Sequence, residues 1–188
     1  MNKALLIIDI QNDYFPGGAM ALEGSPAAGE RAGLLLAAAR RHGLPVIHVR
    51  HVSLRPGAPF FLPGSRGVEI HESVAPLAGE AVIEKHYPNS FRETGLQEKL
   101  QELGIEELVI MGMMSNMCID ATVRAAADLG YSVALAHDAC AARALAFNGV
   151  AVSARDVHAA FMAGLQGLYA RVCAVEALVD ELAAGMRP

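Results

Sequence analysis

The chain has 188 residues, of which 53% are hydrophobic and 19% are charged. This length and composition suit a single domain over residues 1–188 with one buried core. The formal net charge is −5, and no lysine- and arginine-rich run occurs, which argues against nucleic acid or an anionic membrane as partner. The first apolar run is too short for a signal peptide or a membrane span, so we expect a cytoplasmic protein.

The cysteine and histidine spacings exclude several classes of site. Cys118, Cys140 and Cys173 have no CxxC spacing, so neither a disulfide framework nor a zinc knuckle is indicated. The histidines form no HxH or HExxH pair, although His51 and His71 could in principle share a metal. Neither GxGxxG after the first strand nor GxxxxGK[ST] occurs, so dinucleotide and phosphate-loop sites lack motif support. We expect no metal and no cofactor.

Short apolar runs rich in Leu, Ile and Val recur along the chain and predict strands. They cover residues 4–9, 45–52, 81–85, 107–112, 132–138 and 171–175. Nearly continuous apolar strands of this kind indicate a parallel sheet that is covered on both faces.

The segments between these runs have helical periodicity. The apolar positions that repeat on one helical face are Leu96, Leu100 and Leu103, and then Ile119, Val123, Ala126 and Ala127. Gly43, Gly104 and Gly130 each follow a helical segment, where helices commonly end in a left-handed glycine. The alternation of strands and helices predicts a doubly wound α/β domain.

Residues 53–80 do not fit this alternation. The segment is rich in proline and glycine and has no clear period. A long irregular loop inside a compact domain is more often functional than idle, and we expect it to serve as a wall or lid beside a site.

Polar side chains end several of the predicted strands. Asp9 and Lys85 each close an apolar run, and Cys118 follows the run that ends at Gly112. Ligands of open α/β sheets sit beyond the carboxyl ends of the strands, so an acid, an amine and a thiol can converge there. We expect Cys118 in the first turn of a helix capped by Ser115 or Asn116, where free N–H groups and the Lys85 ammonium would favour a thiolate.

Each of these residues also has a purely structural interpretation. Cys118 could be a buried packing residue, Asp9 a turn or cap residue, and Lys85 a solvated strand end. Cys140 and Cys173 favour the packing interpretation, because one lies among alanines and the other inside an apolar run.

Three motifs resemble a known group of enzymes. "LLIIDIQNDY" with Asp9, "VIEKHYPNSF" with Lys85 and "VIMGMMSNMCIDAT" with Cys118 resemble the isochorismatase-like superfamily of cysteine hydrolases. That superfamily includes nicotinamidases, carbamoylsarcosine amidases and streptothricin hydrolase, and the likeness covers nearly the whole chain. It implies an Asp9, Lys85 and Cys118 catalytic triad in a three-layer α/β/α fold around a six-stranded, mainly parallel sheet of Rossmann-like topology.

The resemblance also implies details of the site. A cis peptide would join Met113 to Met114, and the N–H groups of Met114 and Cys118 would form an oxyanion hole. Zinc-binding members carry a DxH pair where this chain has His51 and Ser53, so their metal site looks absent. Substrate would then be oriented by side chains, for which the candidates are Phe15, Phe60, Phe61, Asn89, Phe91 and Asn116.

These observations lead to one main hypothesis and two alternatives. The main one is a metal-independent cysteine hydrolase that cleaves a C–N bond of a small amide, lactam or ureido substrate through a thioester acyl-enzyme. The alternatives are isochorismatase-type vinyl ether hydrolysis with Asp9 as the acid, and a non-catalytic binding or redox-sensing domain. Members of the superfamily are commonly oligomeric, and we expect a homodimer or homotetramer.

Overall fold

The computed structural model describes residues 2–185 and contains eight strands and five α-helices. The strands are β1 (Lys3–Ile8), β2 (Val46–His51), β3 (Ala81–Lys85), β4 (Glu107–Met113), β5 (Ser132–Ala141), β6 (Leu145–Phe147), β7 (Val150–Val152) and β8 (Arg171–Cys173). The helices are α1 (Ser25–Arg41), α2 (Leu96–Glu102), α3 (Asp120–Asp128), α4 (Ala154–Leu165) and α5 (Val175–Ala184). Within the described residues, no helix combines the length and apolarity that a bilayer crossing requires.

Six strands form one parallel sheet in the order β3-β2-β1-β4-β5-β8. The chain winds outward from β1 to β3, then returns to place β4 on the other side of β1. The carboxyl ends of β1 and β4 therefore flank the topological switch point, where open α/β sheets bind their ligands. The predicted doubly wound, six-stranded parallel sheet is confirmed.

Helices cover both faces of this sheet. Helices α1 and α5 pack with Leu5 and Ile7 of β1 in one core. Helices α2, α3 and α4 pack with Leu6 and Ile8 in the other. Because successive strand residues point to opposite faces, one apolar strand supplies both cores, which explains the unbroken apolar runs. Each fully buried aliphatic side chain contributes about 1.5–3 kcal/mol.

Several element bounds differ from the sequence-based prediction. Strand β5 continues to Ala141, and β8 stops at Cys173 because α5 begins at Val175. The antiparallel hairpin of β6 and β7 was not predicted, since each of its strands has only three residues. The glycines expected after helices do adopt left-handed backbone, with φ of 67° at Gly43, 61° at Gly104 and 91° at Gly130.

Gly112 permits a close approach between the two central strands. Its φ is 145°, and a Cβ at this position would lie 1.9 Å from the carbonyl oxygen of Ile8. The register of β4 against β5 also shifts between Ile110 and Gly112. Any residue with a side chain would push β4 away from β1 just before the turn that carries Cys118.

The irregular segment 53–80 is tied to the residues that follow β1. The carboxylate of Asp13 accepts the N–H of Phe61 at 2.6 Å, and Gln11 Nε2 donates to the carbonyl of Val68 at 2.7 Å. The N–H of His71 donates to the carbonyl of Ile10 at 2.9 Å. These three hydrogen bonds hold the segment as a wall beside the carboxyl edge of the sheet.

Candidate active site

The fold brings Asp9, Lys85 and Cys118 together at the carboxyl edge of the sheet. Asp9 directly follows β1, Lys85 is the last residue of β3, and Cys118 lies in a π-helical turn, Ser115–Ile119, after β4. Asp9 and Lys85 are fully buried, and Cys118 is only 4% exposed. Three residues that are far apart in sequence therefore share one dry site.

The ammonium group of Lys85 is fixed by several contacts. Its Nζ donates to the carbonyl oxygens of Tyr87 at 3.1 Å and Pro88 at 3.0 Å, and it lies 2.7 Å from Asp9 Oδ2. Burial disfavours the charged form, but the Asp9 carboxylate and the neighbouring Cys118 sulfur outweigh it and raise the pKa of Lys85. The ammonium thus stays charged and holds Asp9 by charge attraction.

Asp9 adopts an unusual backbone conformation. Its φ is 53°, in the left-handed region, which aspartate tolerates better than most residues. Its N–H donates to the carbonyl of Val49 at 3.0 Å, which ties the bend to β2. Within residues 2–185, Asp9 Oδ1 is buried without a hydrogen-bond partner. A buried, unpartnered carboxylate oxygen next to a thiol is placed to accept its proton.

The turn that carries Cys118 differs from the prediction. It is π-helical rather than the first turn of an α-helix, and the side chain of its N-cap residue, Met114, makes no capping hydrogen bond. The Ser115 hydroxyl instead donates to the carbonyl of Ala141 at 3.2 Å and lies 2.7 Å from Nδ1 of His158. The prediction of a Ser115 or Asn116 cap is wrong, because Ser115 turns towards β5 and α4.

The backbone before Cys118 has the implied arrangement. The Met113 to Met114 peptide bond is cis, as the sequence resemblance implies. The carbonyl of Met114 accepts the N–H groups of Met117 at 3.1 Å and Ile119 at 3.2 Å. The N–H of Met114 itself donates to no acceptor within the described chain, so it is free to bind a ligand oxygen.

The thiol of Cys118 is not pre-ionised. Burial raises its pKa, the negative charge of Asp9 raises it further, and Lys85 opposes both. The free protein therefore does not support the expected low-pKa thiolate, because burial, the largest cause, and the Asp9 carboxylate together outweigh the Lys85 ammonium. The thiol therefore needs a neighbouring base in order to ionise.

A fourth group, the His51 imidazole, joins this cluster. One ligand atom from each of Asp9, His51 and Cys118 lies within 4.8 Å of the other two. Carboxylate, imidazole and thiolate are zinc ligands, but the Lys85 ammonium already neutralises Asp9 and repels a cation, so the set fits a metal poorly. His71 stacks on Phe15 instead, so the alternative of a metal shared by His51 and His71 finds no support in the geometry.

Comparison with known proteins assigns the chain to a family, because residues 3–177 match the isochorismatase domain model. The chain belongs to the isochorismatase family. It is 54% identical over 179 residues to the isochorismatase family protein YddQ of Bacillus subtilis, which covers 95% of this chain and 99% of YddQ. The predicted superfamily is confirmed, and the protein is a hydrolase of this family.

Solved structures of isochorismatase-family hydrolases share the same fold. An Oleispira antarctica protein assigned to the isochorismatase hydrolases superposes with a TM-score of 0.92 at 53% identity, covering 95% of this chain and 96% of that one. The N-carbamoylsarcosine amidase of Thermoplasma acidophilum superposes with a TM-score of 0.79 at 26% identity, covering 94% and 98%. The sheet and its helices are thus common to both.

Of the predicted substrate residues of this hydrolase, Phe61 lies beside His51 and Phe60 packs against Phe61. The ring of Phe61 is 5.8 Å from that of His51 and 4.7 Å from that of Tyr14, between centroids. Phe60 packs edge-on against Phe61 at 4.8 Å. These rings form an apolar wall near the triad, and Phe60 is its less buried member.

Of the other four candidates, Asn116 has the clearest potential to bind substrate. Its Oδ1 is buried and has no hydrogen-bond partner among residues 2–185. Asn89 Oδ1 accepts the N–H of Phe91 at 2.9 Å and so stabilises its own loop. Phe91 stacks on Tyr131, which precedes β5 at the amino end of the sheet, and Phe15 stacks on His71. The contacts just given for Asn89, Phe91 and Phe15 are with residues outside the triad.

Sequence reasoning missed Gln11, which shapes this hydrolase's site. Gln11 Nε2 donates to the carbonyl of His51 at 2.9 Å, and its Oε1 accepts the N–H of His51 at 2.8 Å. Gln11 is fully buried, two residues after Asp9. A buried glutamine so close to a candidate acid was the available signal, since such a side chain must find partners for both ends.

Proposed function

We propose that this protein is a metal-independent cysteine amidohydrolase that cleaves a C–N bond of a small amide, lactam or ureido compound. The observation that carries this proposal is the buried Asp9–Lys85 ion pair, 2.7 Å between Nζ and Oδ2, which faces the thiol of Cys118. A thiol nucleophile with a neighbouring base suits acyl transfer. The likeness to an amidase named for N-carbamoylsarcosine supports the same class of bond.

Acylation begins with the neutral thiol. Asp9 accepts the proton of Cys118 as sulfur attacks the carbonyl carbon, which gives a tetrahedral oxyanion. The N–H groups of Met114 and Cys118 bind that oxyanion. The C–N bond then breaks, the leaving nitrogen takes the proton from Asp9, and a thioester remains on Cys118.

Deacylation repeats these steps with water. Water attacks the thioester carbonyl and loses a proton to a base at the site, and collapse of the second oxyanion breaks the C–S bond. The departing sulfur regains a proton, so the thiol is restored and a carboxylic or carbamic acid leaves. Throughout, Lys85 keeps its charge and stabilises the carboxylate of Asp9.

The surroundings of Cys118 indicate what the substrate must offer. Asn116 Oδ1 lacks a donor in its buried position, so a substrate N–H can pair with it. Phe60 and Phe61 provide an apolar wall for the remainder of a small molecule. A compact amide with one free N–H and a small apolar portion meets both requirements.

The test is a Cys118→Ala variant screened against small amides, lactams and ureido compounds. We expect a folded protein without measurable turnover, whereas wild type releases amine or ammonia. Cys140→Ala is the matched control, because Cys140 is also buried and its pKa is affected by Asp138 rather than by the Asp9–Lys85 pair. Turnover of an amide by Cys118→Ala would refute the proposal.

Vinyl ether hydrolysis is the second candidate, since the unpartnered Oδ1 of Asp9 could protonate an ether carbon. That reaction needs no thiol, so activity on isochorismate would survive Cys118→Ala. The redox-sensing alternative is less favoured, because sensor thiols are exposed and have a low pKa, whereas Cys118 is buried with a raised pKa.

We also propose that the hydrolase forms a homodimer or homotetramer in the cytoplasm. Phe147, Val150 and Leu168 are 77%, 63% and 80% exposed, and a second copy would cover such side chains. Three free cysteines suit a reducing compartment. Light scattering after size-exclusion chromatography would test the assembly, and a strictly monomeric mass would contradict it.

A further inference from the structure

We propose that His51 is a catalytic residue that takes the proton from the deacylating water. This inference rests on the proposed thioester mechanism. The imidazole, the carboxylate of Asp9 and the sulfur of Cys118 have ligand atoms within 4.8 Å of one another. A group at that distance from the sulfur is one water molecule away from a thioester carbonyl on it.

The position of His51 is set by its backbone. His51 is the last residue of β2 and pairs in register with Lys85 of β3. Gln11 bonds both its N–H and its carbonyl, at 2.8 and 2.9 Å. The Phe61 ring also packs near the imidazole, with 5.8 Å between the ring centroids. These contacts restrict the movement of His51. A base that must meet a small, mobile water benefits from such fixation.

Exposure separates His51 from the triad. Asp9, Lys85 and Cys118 are buried, while His51 is half-buried, so it is the member of this cluster that solvent reaches most readily. Within residues 2–185, neither ring nitrogen makes a hydrogen bond to a protein group. The imidazole is therefore available to a water molecule or a substrate.

The charge state of His51 suits a base. Burial lowers its pKa, the Asp9 carboxylate raises it, and the Lys85 and His86 side chains lower it again. The net direction is downward, so the imidazole is neutral at neutral pH and can accept a proton. The titratable groups that face it are Asp9 after β1, Lys85 and His86 at the end of β3, and Cys118 in the π turn.

The two bases then act in different half-reactions. Asp9 is paired with Lys85 beside the thiol, so it shuttles the proton during acylation. In deacylation, the oxygen of water forms its bond to the thioester carbon as its proton passes to His51. The C–S bond then breaks, and the thiolate of Cys118 takes the proton from the imidazolium. The acid product leaves with a neutral imidazole and a neutral thiol restored.

The test uses p-nitrophenyl acetate as an acyl donor, with wild type, His51→Gln and His51→Ala. For His51→Gln we expect about one equivalent of p-nitrophenolate per site at close to the wild-type rate. Steady turnover should then fall about 10²- to 10⁴-fold, the usual contribution of a general base. Intact-mass analysis should find an acetyl group accumulated on Cys118. Free imidazole should accelerate the loss of the acetyl group from acetylated His51→Ala that has been freed of ester, as read by intact mass.

The controls distinguish a failure of the His51 role from a failure of the proposed cysteine-hydrolase function. His42→Gln makes the same change at the end of α1, before β2 starts, and should behave as wild type. Steady turnover of His51→Gln within about threefold of wild type would overturn the role of His51, as would equal losses of the burst and of turnover. Failure of wild type to acetylate Cys118, or turnover by Cys118→Ala, would instead refute the cysteine-hydrolase proposal.

Discussion

Cys118 and Cys140 are two buried thiols on neighbouring segments that differ in their surroundings. Cys140 lies in β5 as the register partner of Gly112, and its thiol donates to the carbonyl of Ala136 at 3.3 Å. Burial raises its pKa to about 12. Cys118 is equally buried but faces a carboxylate and an ammonium. Burial disfavours ionisation of both thiols. Only Cys118 has a neighbouring carboxylate and ammonium that allow it to ionise during a reaction.

Lys85→Met should weaken the Cys118 region most strongly. It removes the ammonium but keeps the length of the side chain, which leaves the carboxylate of Asp9 buried without a counter-charge. We expect the free energy of unfolding to fall by about 3–5 kcal/mol in urea titrations. Amide turnover should fall at least about 100-fold.

Asp9→Asn/Lys85→Met is the matched control for that loss. With both charges removed, the double variant should unfold at higher urea than Lys85→Met alone, because no unpaired charge stays buried. A double variant less stable than Lys85→Met would contradict the assigned ion pair.

Asp9→Asn should increase the rate at which Cys118 is alkylated and leave the rate for Cys140 unchanged. Asp9 raises the pKa of Cys118, and its removal leaves the positive charge of Lys85 to favour the thiolate. Alkylation of Cys118 by iodoacetamide at pH 8 should become about tenfold faster, the result of a pKa lowered by about one unit. Cys140 should react at an unchanged, slow rate, as read by peptide mass spectrometry. Equal acceleration of both cysteines would indicate general loosening instead.

Cys140→Ala should have the smallest effect. The thiol fills space in β5, so we expect about 1 kcal/mol loss of unfolding free energy and turnover within about twofold of wild type. A large loss of turnover would place Cys140 in the site and erase the distinction between the two thiols.

The same variant has a defined pH dependence. The folded pKa of Cys140, about 12, exceeds the unfolded value, so the unfolded chain releases this proton first as pH rises. The stabilising contribution is complete below about pH 8.5 and then declines by up to about 1.4 kcal/mol per pH unit. The advantage of wild type over Cys140→Ala in unfolding free energy, about 1 kcal/mol at pH 8, should therefore fall through zero and change sign by pH 10. A constant difference would contradict the raised pKa.

The fold was largely predictable because its signals are local. Parallel strands buried on both faces must be apolar throughout, so runs such as 107–112 can be recognised as strands in the sequence. Glycines such as Gly104 mark helix ends through their backbone freedom. The hairpin of β6 and β7 escaped prediction, because three-residue strands carry too few positions to establish a period.

The candidate site was only partly predictable. Asp9, Lys85 and Cys118 were found because strand ends in an α/β sheet converge, and because their motifs resemble a known superfamily. The Asn89 and Phe91 contacts were not predictable, since a loop residue can stabilise its own turn or turn away from the site. Side-chain direction in loops depends on packing that no short-range pattern encodes.

The sequence by itself determined the doubly wound sheet and the order of the three motifs, and the resemblance to the superfamily implied the position of the cis peptide. Tertiary structure decided the π-helical turn, the raised pKa of Cys118 and the place of His51 beside Asp9. The physical reason is that periodicity and motifs act over neighbouring residues, whereas a pKa depends on burial and on charges from distant segments. These contributions to the pKa act together only when folding has brought β1, β2, β3 and the π turn into contact.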